Sequence, residues 1–323
     1  MSVINIRKAE REGARLVIVL PGISGSGKTH TALLLAYGLA NYDASKVGFL
    51  DAENRRGSLY AEALREADPP TDERFLIGDL YAPFSPQRYI DSILAFQEAG
   101  VEVLVIDSGS HEWEGQGGCE DIANAGNPRM PNWKLAKAEH KRFMNTLLQC
   151  DMHIILCLRA REKVEIKTVN GKREVVPIGV QPVTEKNVLF EATASLMMWN
   201  EGRNQEVIKC PGELRGILGR GQGYITASDG AALRAWVDGA KQLDRTIEHA
   251  RNSLRTVTEQ GTDALIKAWR ALPEATRKAI NAEGTCPDEF KRAAQEFDAL
   301  RERDSERQTD GLNDELGIGE AAE

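Results

Sequence analysis

Short apolar runs alternate with stretches of helical pattern over residues 15–210 of the chain. The apolar runs predict strands at residues 15–20, 47–50, 75–77, 101–106 and 153–158, and helical patterns cover residues 29–40 and 134–149. Polar residues do not alternate with apolar ones inside these runs, which is typical of strands buried on both faces. The alternation of strands and helices therefore predicts an α/β fold with a mainly parallel central sheet.

After residue 158 the pattern changes to strands without long helices between them. Asn170 and Gly171 stand between β-rich flanks, a combination that predicts a hairpin within residues 164–177. Further strands are predicted at residues 195–198, 205–209 and 224–226. These strands are expected to extend the sheet with antiparallel pairs.

From residue 228 onward the chain carries helical patterns. Helices are predicted at residues 231–257, 263–272 and 287–303. Trp236 and Trp269 are expected to pack a small helical core. The last residues are acidic and poor in large apolar side chains, which predicts a disordered tail. We therefore predict three parts, namely an α/β domain at residues 1–227, a helical region at residues 228–303 and a tail at residues 304–323.

Composition narrows the class of protein only moderately. The 323 residues carry a net charge of −8, so overall charge gives no support for nucleic-acid binding, although a local basic segment is compatible with it. Five cysteines without CxxC spacing indicate reduced thiols. Charged residues interrupt residues 1–20, which argues against a signal peptide, and no apolar run approaches the ~20 residues of a membrane span. We expect a cytoplasmic protein that does not associate with membranes.

The histidines do not predict a metal centre. His111 and Glu112 begin like the HExxH motif of zinc proteases, but Gly115 stands where the second histidine belongs. The five histidines form no other ligand cluster in the sequence. From the sequence we therefore expect no zinc site.

A complete phosphate-binding loop follows the first predicted strand. Residues 22–29 read GISGSGKT and match G-x-x-x-x-G-K-[ST] between a strand and a helix. In this motif backbone N–H groups and the positive helix end hold phosphate oxygens, Lys28 reaches the β- and γ-phosphates, and Thr29 ligates Mg²⁺. The residues predicted to bind the nucleotide are Gly22, Ser24, Gly25, Ser26, Gly27, Lys28, Thr29 and His30.

Acidic residues at strand ends supply the expected partners of this loop. Residues 103–107 read VLVID, so Asp107 ends an apolar strand as in a Walker B motif and is predicted to hold Mg²⁺ beside Thr29. Hydrolysis also requires a group that orients the attacking water. Glu53, at the tip of the second strand, is the preferred candidate, and Glu112 and Glu114 are the alternatives.

Three segments of the chain resemble the RecA-type recombinase core. They are residues 47–64 (VGFLDAENRRGSLYAEAL), 103–115 (VLVIDSGSHEWEG) and 153–163 (HIILCLRAREK). Through its extended Walker B segment, which continues to Gly117 and Gly118, the chain is most similar to phage and prophage RecA-like ATPases linked to single-strand annealing and homologous recombination. The resemblance covers about residues 14–210 and makes residues 1–227 a RecA-like ATPase domain.

The resemblance implies roles for individual residues. Glu53 becomes the catalytic glutamate, Asp107 and Ser108 the Walker B pair, and Arg159 the γ-phosphate sensor that relays its state to the following loop. Most RecA relatives carry glutamine at the position of Arg159. The implied cofactors are ATP and Mg²⁺, and the implied location is the cytoplasm of a bacterial host cell.

The resemblance also implies macromolecular partners. Residues 109–131 and 162–182 correspond to loops that contact single-stranded DNA, and the second segment holds Lys163, Lys167, Lys172 and Arg173. A solvated hairpin is the alternative for that segment, and Trp113 fits either base stacking or packing. A homo-oligomeric ring or filament is expected, with Lys209, Arg215 or Arg220 completing a neighbour's site. The acidic tail is expected to compete with DNA, to dock on a single-strand-binding protein, or to act only as a solubilising segment.

The sequence thus predicts an ATPase that acts on single-stranded DNA in phage-type recombination or annealing. A nucleotide-dependent loader or remodelling ATPase acting on replication proteins is the alternative. A non-catalytic nucleotide switch is disfavoured by the presence of Lys28, Thr29, Asp107 and Glu53. A metabolite kinase would need an acceptor pocket and a lid, neither of which is visible in the sequence.

Overall fold

The computed structural model describes residues 15–126, 130–169, 172–239, 245–282 and 288–302. They fall into two compact units, a larger one within residues 15–239 and a smaller one within residues 245–302. The predicted tail at residues 304–323 lies outside the described residues.

One mixed sheet forms the centre of the larger unit. Its strand order is β3-β2-β4-β5-β1-β7-β8, and β6 pairs with β5 outside this path. All neighbours from β3 to β7 are parallel, whereas β5–β6 and β7–β8 are antiparallel. The predicted α/β fold with a mainly parallel sheet is confirmed. The strands are β1 (Val17–Gly22), β2 (Val47–Asp51), β3 (Leu76–Asp79), β4 (Val103–Asp107), β5 (His153–Val169), β6 (Lys172–Pro182), β7 (Ala194–Trp199) and β8 (Asn204–Lys209).

Helices follow the strands and cover the sheet. Short 3₁₀ turns occupy Ala44–Lys46, Arg56–Tyr60, Ala63–Glu66, Asn200–Gly202 and Gly212–Leu214. The α-helices of the larger unit are α1 (Lys28–Leu39), α2 (Pro86–Glu98), α3 (Ser110–Glu114), α4 (Cys119–Asn124), α5 (Trp133–Gln149), α6 (Val188–Glu191), α7 (Arg215–Leu218) and α8 (Ala227–Asp238). The smaller unit contains α9 (Arg245–Thr258), α10 (Thr262–Ala271), α11 (Glu274–Ala282) and α12 (residues 288–302).

The central strands are apolar because each faces two hydrophobic cores. Along β1, Ile18 and Leu20 belong to the core that includes α1 and α8, whereas Val17 and Val19 belong to the core that includes α2 and α5. Every residue of β1, β2 and β4 is buried. The absence of alternation in the sequence is therefore explained by burial on both faces of the sheet.

Helix α8 belongs to the larger unit, so the predicted domain boundary after residue 227 differs from the structural division at residue 240. Two glycines bring α8 against α1: a Cβ on Gly38 would lie 1.7 Å from the Ala227 carbonyl oxygen, and one on Gly230 would lie 2.2 Å from that of Leu35. Trp236 packs against the larger core, so its predicted place in a separate helical core is wrong.

Two further predictions for the C-terminal half differ from the structure. The single helix predicted at residues 231–257 is wrong, because α8 ends at Asp238 with Gly239 as its C-cap, and glycine is a poor helix former. Residues 224–226 form no strand, although Gln222 makes an isolated bridge to Asn204. Buried Ile225 gives this segment its apolar character.

The smaller unit is helical, as predicted. Helices α9, α10 and α11 and residues 288–302 enclose a small core to which Trp269 contributes at its edge. The core residues are Ala250, Leu254, Leu265, Ile280, Phe290 and Ala294. Across the part of the chain that the structure describes, no helix is long and apolar enough to cross a bilayer.

Candidate phosphate-binding site

The loop between β1 and α1 adopts a path that requires glycine. Gly25 and Gly27 have φ angles of +76° and +84°, which side-chain-bearing residues rarely adopt. A Cβ on Gly27 would also lie 2.4 Å from the carbonyl carbon of Glu201, in the turn that follows β7. Backbone conformation and close packing therefore both account for glycine at position 27 of the motif.

An open cavity brings the loop together with the acidic strand ends. Among the predicted nucleotide-binding residues, Ser24, Gly25, Gly27, Lys28 and Thr29 line this cavity. Gly22, Ser26 and His30 do not line it, and Gly22 and Ser26 are buried. The remaining lining residues are Phe49, Asp51, Glu53, Arg56, Gly57, Tyr60 and Asp107.

Thr29 and Asp107 meet at the floor of this cavity. The Thr29 hydroxyl donates a hydrogen bond of 2.5 Å to Oδ2 of Asp107. Oδ1 of Asp107 is buried and has no hydrogen-bond partner among the described residues. Burial raises the pKa of Asp107, and the Thr29 hydrogen bond and the Lys28 charge offset only part of that rise. An unsatisfied carboxylate oxygen beside a hydroxyl suits Mg²⁺, which takes oxygen ligands, so these residues fit the predicted metal site.

Asp51 organises the loop after β2, a role that the sequence reasoning missed. Its carboxylate accepts hydrogen bonds from the backbone N–H groups of Glu53, at 2.6 Å, and Gly57, at 2.7 Å. Asp51 lies in register with Asp107 on the neighbouring parallel strand. The signal was present in the sequence, because both aspartates end apolar strands whose carboxyl ends meet at one edge of the sheet.

Glu53 and Arg159 form an ion pair beside the loop. Nε of Arg159 donates a hydrogen bond of 2.8 Å to Oε1 of Glu53, and Arg56 approaches the other oxygen at 3.6 Å. Strand β5 lies between β1 and β4, and its register places Arg159 opposite Gly22 at the start of the loop. The structure thus brings the predicted water-orienting glutamate and the predicted sensor into direct contact.

The charges around this pair keep the carboxylate ionised. Burial raises the pKa of Glu53, but the hydrogen bond and charge of Arg159, together with the charge of Lys28, lower it overall. Burial lowers the pKa of the Arg159 guanidinium, but its bond to Glu53 and nearby acidic groups raise it overall. An ionised Glu53 is available to accept a proton or a hydrogen bond from water.

The two alternative glutamates are engaged elsewhere. Glu112 is buried, and its Oε2 lies 3.0 Å from Nδ1 of His140. Glu114 forms an ion pair of 2.9 Å with Arg161. Neither lines the cavity, which favours Glu53 as the water-orienting residue.

The three cations predicted to act on a neighbouring subunit have different surroundings. Lys209 donates to the carbonyl oxygens of Phe190 and Ala192 at the end of α6. Arg220 makes two hydrogen bonds to Asp229, so it contributes to the packing of α8. Arg215 is exposed on α7.

The loop, the paired aspartate and the parallel sheet together define a P-loop nucleotide-binding protein. The chain belongs to the AAA domain family, an ATPase family whose model matches residues 14–198. A solved structure of a KaiC-like protein from the archaeon Pyrococcus horikoshii OT3 is similar over 58% of this chain and 71% of its own, with 18% identity and a TM-score of 0.32. No curated protein matches the chain.

Replacement of Lys28 tests the phosphate site. We expect Lys28→Ala to lower the ATP hydrolysis rate by about 10²–10³-fold or more. The variant lacks the ammonium group whose positive charge stabilises the transferring phosphoryl group. Steady-state phosphate release measures this rate, with Lys46→Ala as the control because Lys46 pairs with Glu102 outside the cavity. Equal rates for Lys28→Ala and the wild type would contradict the assignment of the loop.

Replacement of Glu53 separates binding from hydrolysis. We expect Glu53→Gln to bind ATP with nearly unchanged affinity and to hydrolyse it about 100-fold more slowly, because the amide cannot accept a proton from water. Nucleotide binding and single-turnover hydrolysis are measured in parallel, with Glu114→Gln as the matched control. Normal turnover in Glu53→Gln would assign water orientation to another residue.

Proposed function

We propose that this protein binds and hydrolyses ATP with Mg²⁺ and acts on single-stranded DNA in phage-type homologous recombination or strand annealing. The observation that carries the proposal is the Glu53–Arg159 ion pair, because it joins the phosphate cavity to the antiparallel ribbon. This ribbon consists of residues 160–169 of β5 and residues 172–182 of β6. A change at the γ-phosphate therefore reaches the ribbon through the Glu53–Arg159 ion pair and the backbone of β5.

At the phosphate end, catalysis depends on positioning and charge. Backbone N–H groups of the loop and Lys28 hold the phosphates, and Thr29 and Asp107 hold the metal. Mg²⁺, when bound, neutralises charge on the β- and γ-phosphates. Glu53 orients a water molecule for in-line attack, and Arg159 restrains that carboxylate until the γ-phosphate attracts its guanidinium.

The ribbon begins where the phosphate site ends. Arg159 is the last residue of β5 paired with β1, and Ala160 is the first paired with β6, opposite Pro182. The backbone N–H of Arg159 also donates to the Ser110 hydroxyl at 2.9 Å. Arg159 therefore contacts the first of the two segments that the resemblance assigns to DNA and lies three residues before the second, which supports its role as a relay.

The ribbon exposes aliphatic side chains that a solvated hairpin does not need. Val164, Ile166 and Val175 are 61%, 66% and 64% exposed. Cross-strand pairing of Val164 with Pro177 and of Ile166 with Val175 places them on one face. Exposed apolar side chains suit contact with the unpaired bases of a single strand. Side chains at positions 167–174, which include Lys167, Lys172 and Arg173, lie outside the described set.

Trp113 favours packing over base stacking. Its ring stacks on Trp133 with centroids 6.1 Å apart and meets His140 edge-on at 5.5 Å. DNA contact through residues 109–131 would therefore use other side chains, and residues 127–129 of this segment lie outside the described residues.

The exposed aliphatic face also favours the second candidate function, a nucleotide-dependent loader or remodelling ATPase acting on replication proteins. Contiguous apolar surface is characteristic of protein docking sites.

For either function we propose a ring or filament in which Arg215 completes a neighbour's site. A cytoplasmic location in a bacterial host is part of the same proposal.

A half-exposed tyrosine near the loop supports nucleotide binding with a stacked base. Tyr224 is 50% exposed, and Nε of Arg203 donates to its hydroxyl at 2.7 Å. A Cβ on Gly202 would lie 3.0 Å from the Thr31 hydroxyl and 3.7 Å from the Tyr224 ring. The ring thus lies close to the first turn of α1, within reach of the base of a nucleotide whose phosphates occupy the loop.

Replacement of Tyr224 tests this base platform. We expect Tyr224→Ala to raise the KM for ATP roughly 10-fold with little change in kcat, because stacking on an aromatic ring contributes about 1–3 kcal/mol per base. Tyr224→Phe, which keeps the ring, is expected to retain the wild-type KM. An unchanged KM in Tyr224→Ala would place the base elsewhere.

DNA-dependent ATPase activity distinguishes the two candidate functions. We expect single-stranded DNA to stimulate hydrolysis, and the stimulation to weaken between low and moderate salt as phosphate contacts are screened. The measurement compares phosphate release with and without an oligonucleotide, and Lys28→Ala reports the background. Absence of both stimulation and DNA binding would leave the P-loop ATPase intact and favour the loader function.

A double variant in the ribbon tests whether this surface binds DNA. The double variant Lys167→Ala, Lys172→Ala is expected to lower DNA affinity and the salt dependence of binding while leaving DNA-free hydrolysis unchanged. Lys278→Ala in the smaller unit is the matched control. Equal DNA affinity in the ribbon double variant and the control would exclude the ribbon as the binding surface.

A further inference from the structure

Three potential metal ligands converge in the interior beside the Walker B segment. Glu112 on α3, Cys119 on α4 and His140 on α5 are 1%, 0% and 5% exposed. Their ligand atoms all lie within 4.8 Å of one another. The sequence did not predict this cluster, because its members are separated in the chain and match no metal-binding motif.

The distances within the cluster are close to those of a coordination shell. Oε1 of Glu112 lies 3.2 Å from Sγ of Cys119 and 3.1 Å from Nδ1 of His140. Tetrahedral zinc has bonds of about 2.0–2.3 Å, which separate its ligand atoms by roughly 3.3–3.8 Å. The ligand atoms of Cys119 and His140 lie within 4.8 Å of each other, so side-chain shifts of about 1 Å would accommodate a zinc ion.

We propose that Glu112, Cys119 and His140 bind a zinc ion that staples α3, α4 and α5 together. One thiolate, one imidazole and one carboxylate form a donor set that zinc accepts and that Mg²⁺ or Ca²⁺ does not prefer. A dication with one thiolate and one carboxylate is electrically neutral, which suits a fully buried position. A water molecule takes the fourth coordination position.

The local fold explains why such a staple is useful. Helices α3 and α4 contain only 5 and 6 residues, and the apolar cluster beneath them consists of buried Cys119, Ala123 and Ala136 with Trp113 and Ile122 partly buried against them. So small a core contributes little to holding three helices. A structural metal supplies stability directly where apolar burial is insufficient.

The surroundings of the cluster match those of an enclosed structural site. Trp113 meets the His140 ring edge-on at 5.5 Å and stacks on Trp133. The site is separate from the Thr29–Asp107 pair, whose ligands are oxygen atoms alone.

The staple would also fix the position of the Walker B extension. Helix α3 begins at Ser110, whose hydroxyl accepts the backbone N–H of Arg159. Zinc bound at Glu112, two residues farther along α3, therefore supports the contact between that helix and β5.

Metal analysis of the untagged full-length protein tests the proposal. We expect one zinc ion per chain after dialysis, measured by elemental analysis. Replacement by Co²⁺ should give a near-ultraviolet thiolate-to-cobalt charge-transfer band, which oxygen ligands at the Mg²⁺ position do not produce. Cys119→Ser and His140→Gln should lose the zinc, and Cys119→Ser should lose the band.

The control variant is Cys210→Ser, whose thiol lies outside the cluster and whose zinc content should equal that of the wild type. If the cluster variants fail to fold, the cobalt band of the wild-type protein still decides the question. Folded wild-type protein that holds no zinc and gives no band on Co²⁺ titration would overturn the proposal and leave a buried Glu112–His140 pair. A band that persists in Cys119→Ser would also overturn it.

Discussion

The position of β5 between β1 and β4 is the constraint on which the site depends. Parallel pairing on both sides fixes Arg159 opposite Gly22, while Asp107 ends the next strand. The guanidinium therefore reaches Glu53, which lines the cavity. A slip of one residue along β5 would turn the Arg159 side chain to the other face of the sheet and separate it from that carboxylate.

The sequence predicted the central architecture because its signals were local and strong. Apolar runs located the strands that the sheet contains, and the complete loop motif with Asp107 located the cavity. Helix α2 was missed, although its buried residues Pro86, Tyr89, Ile90 and Ile93 have helical spacing. The boundary after residue 227 differed because close packing of Gly38 and Gly230 against neighbouring backbone depends on contacts between distant parts of the chain.

The site residues also form two groups, namely those that a local motif predicts and those that meet only in the folded chain. Lys28, Thr29 and Asp107 follow from a motif whose residue types are dictated by phosphate and metal chemistry. Asp51 lines the cavity, but it was missed because its carboxylate accepts backbone N–H groups of the loop after β2, a contact that no motif predicts. Cys119 and His140 meet Glu112 only after three helices have packed, so no spacing rule in the sequence reveals them.

The contact between α1 and α8 has a consequence for how the molecule can move. With backbone on both sides and no side chain between them at Gly38 and Gly230, the helices cannot slide past each other without collision. Helix α1 therefore cannot move along its axis independently of α8. A displacement of α1 would therefore carry α8 with it.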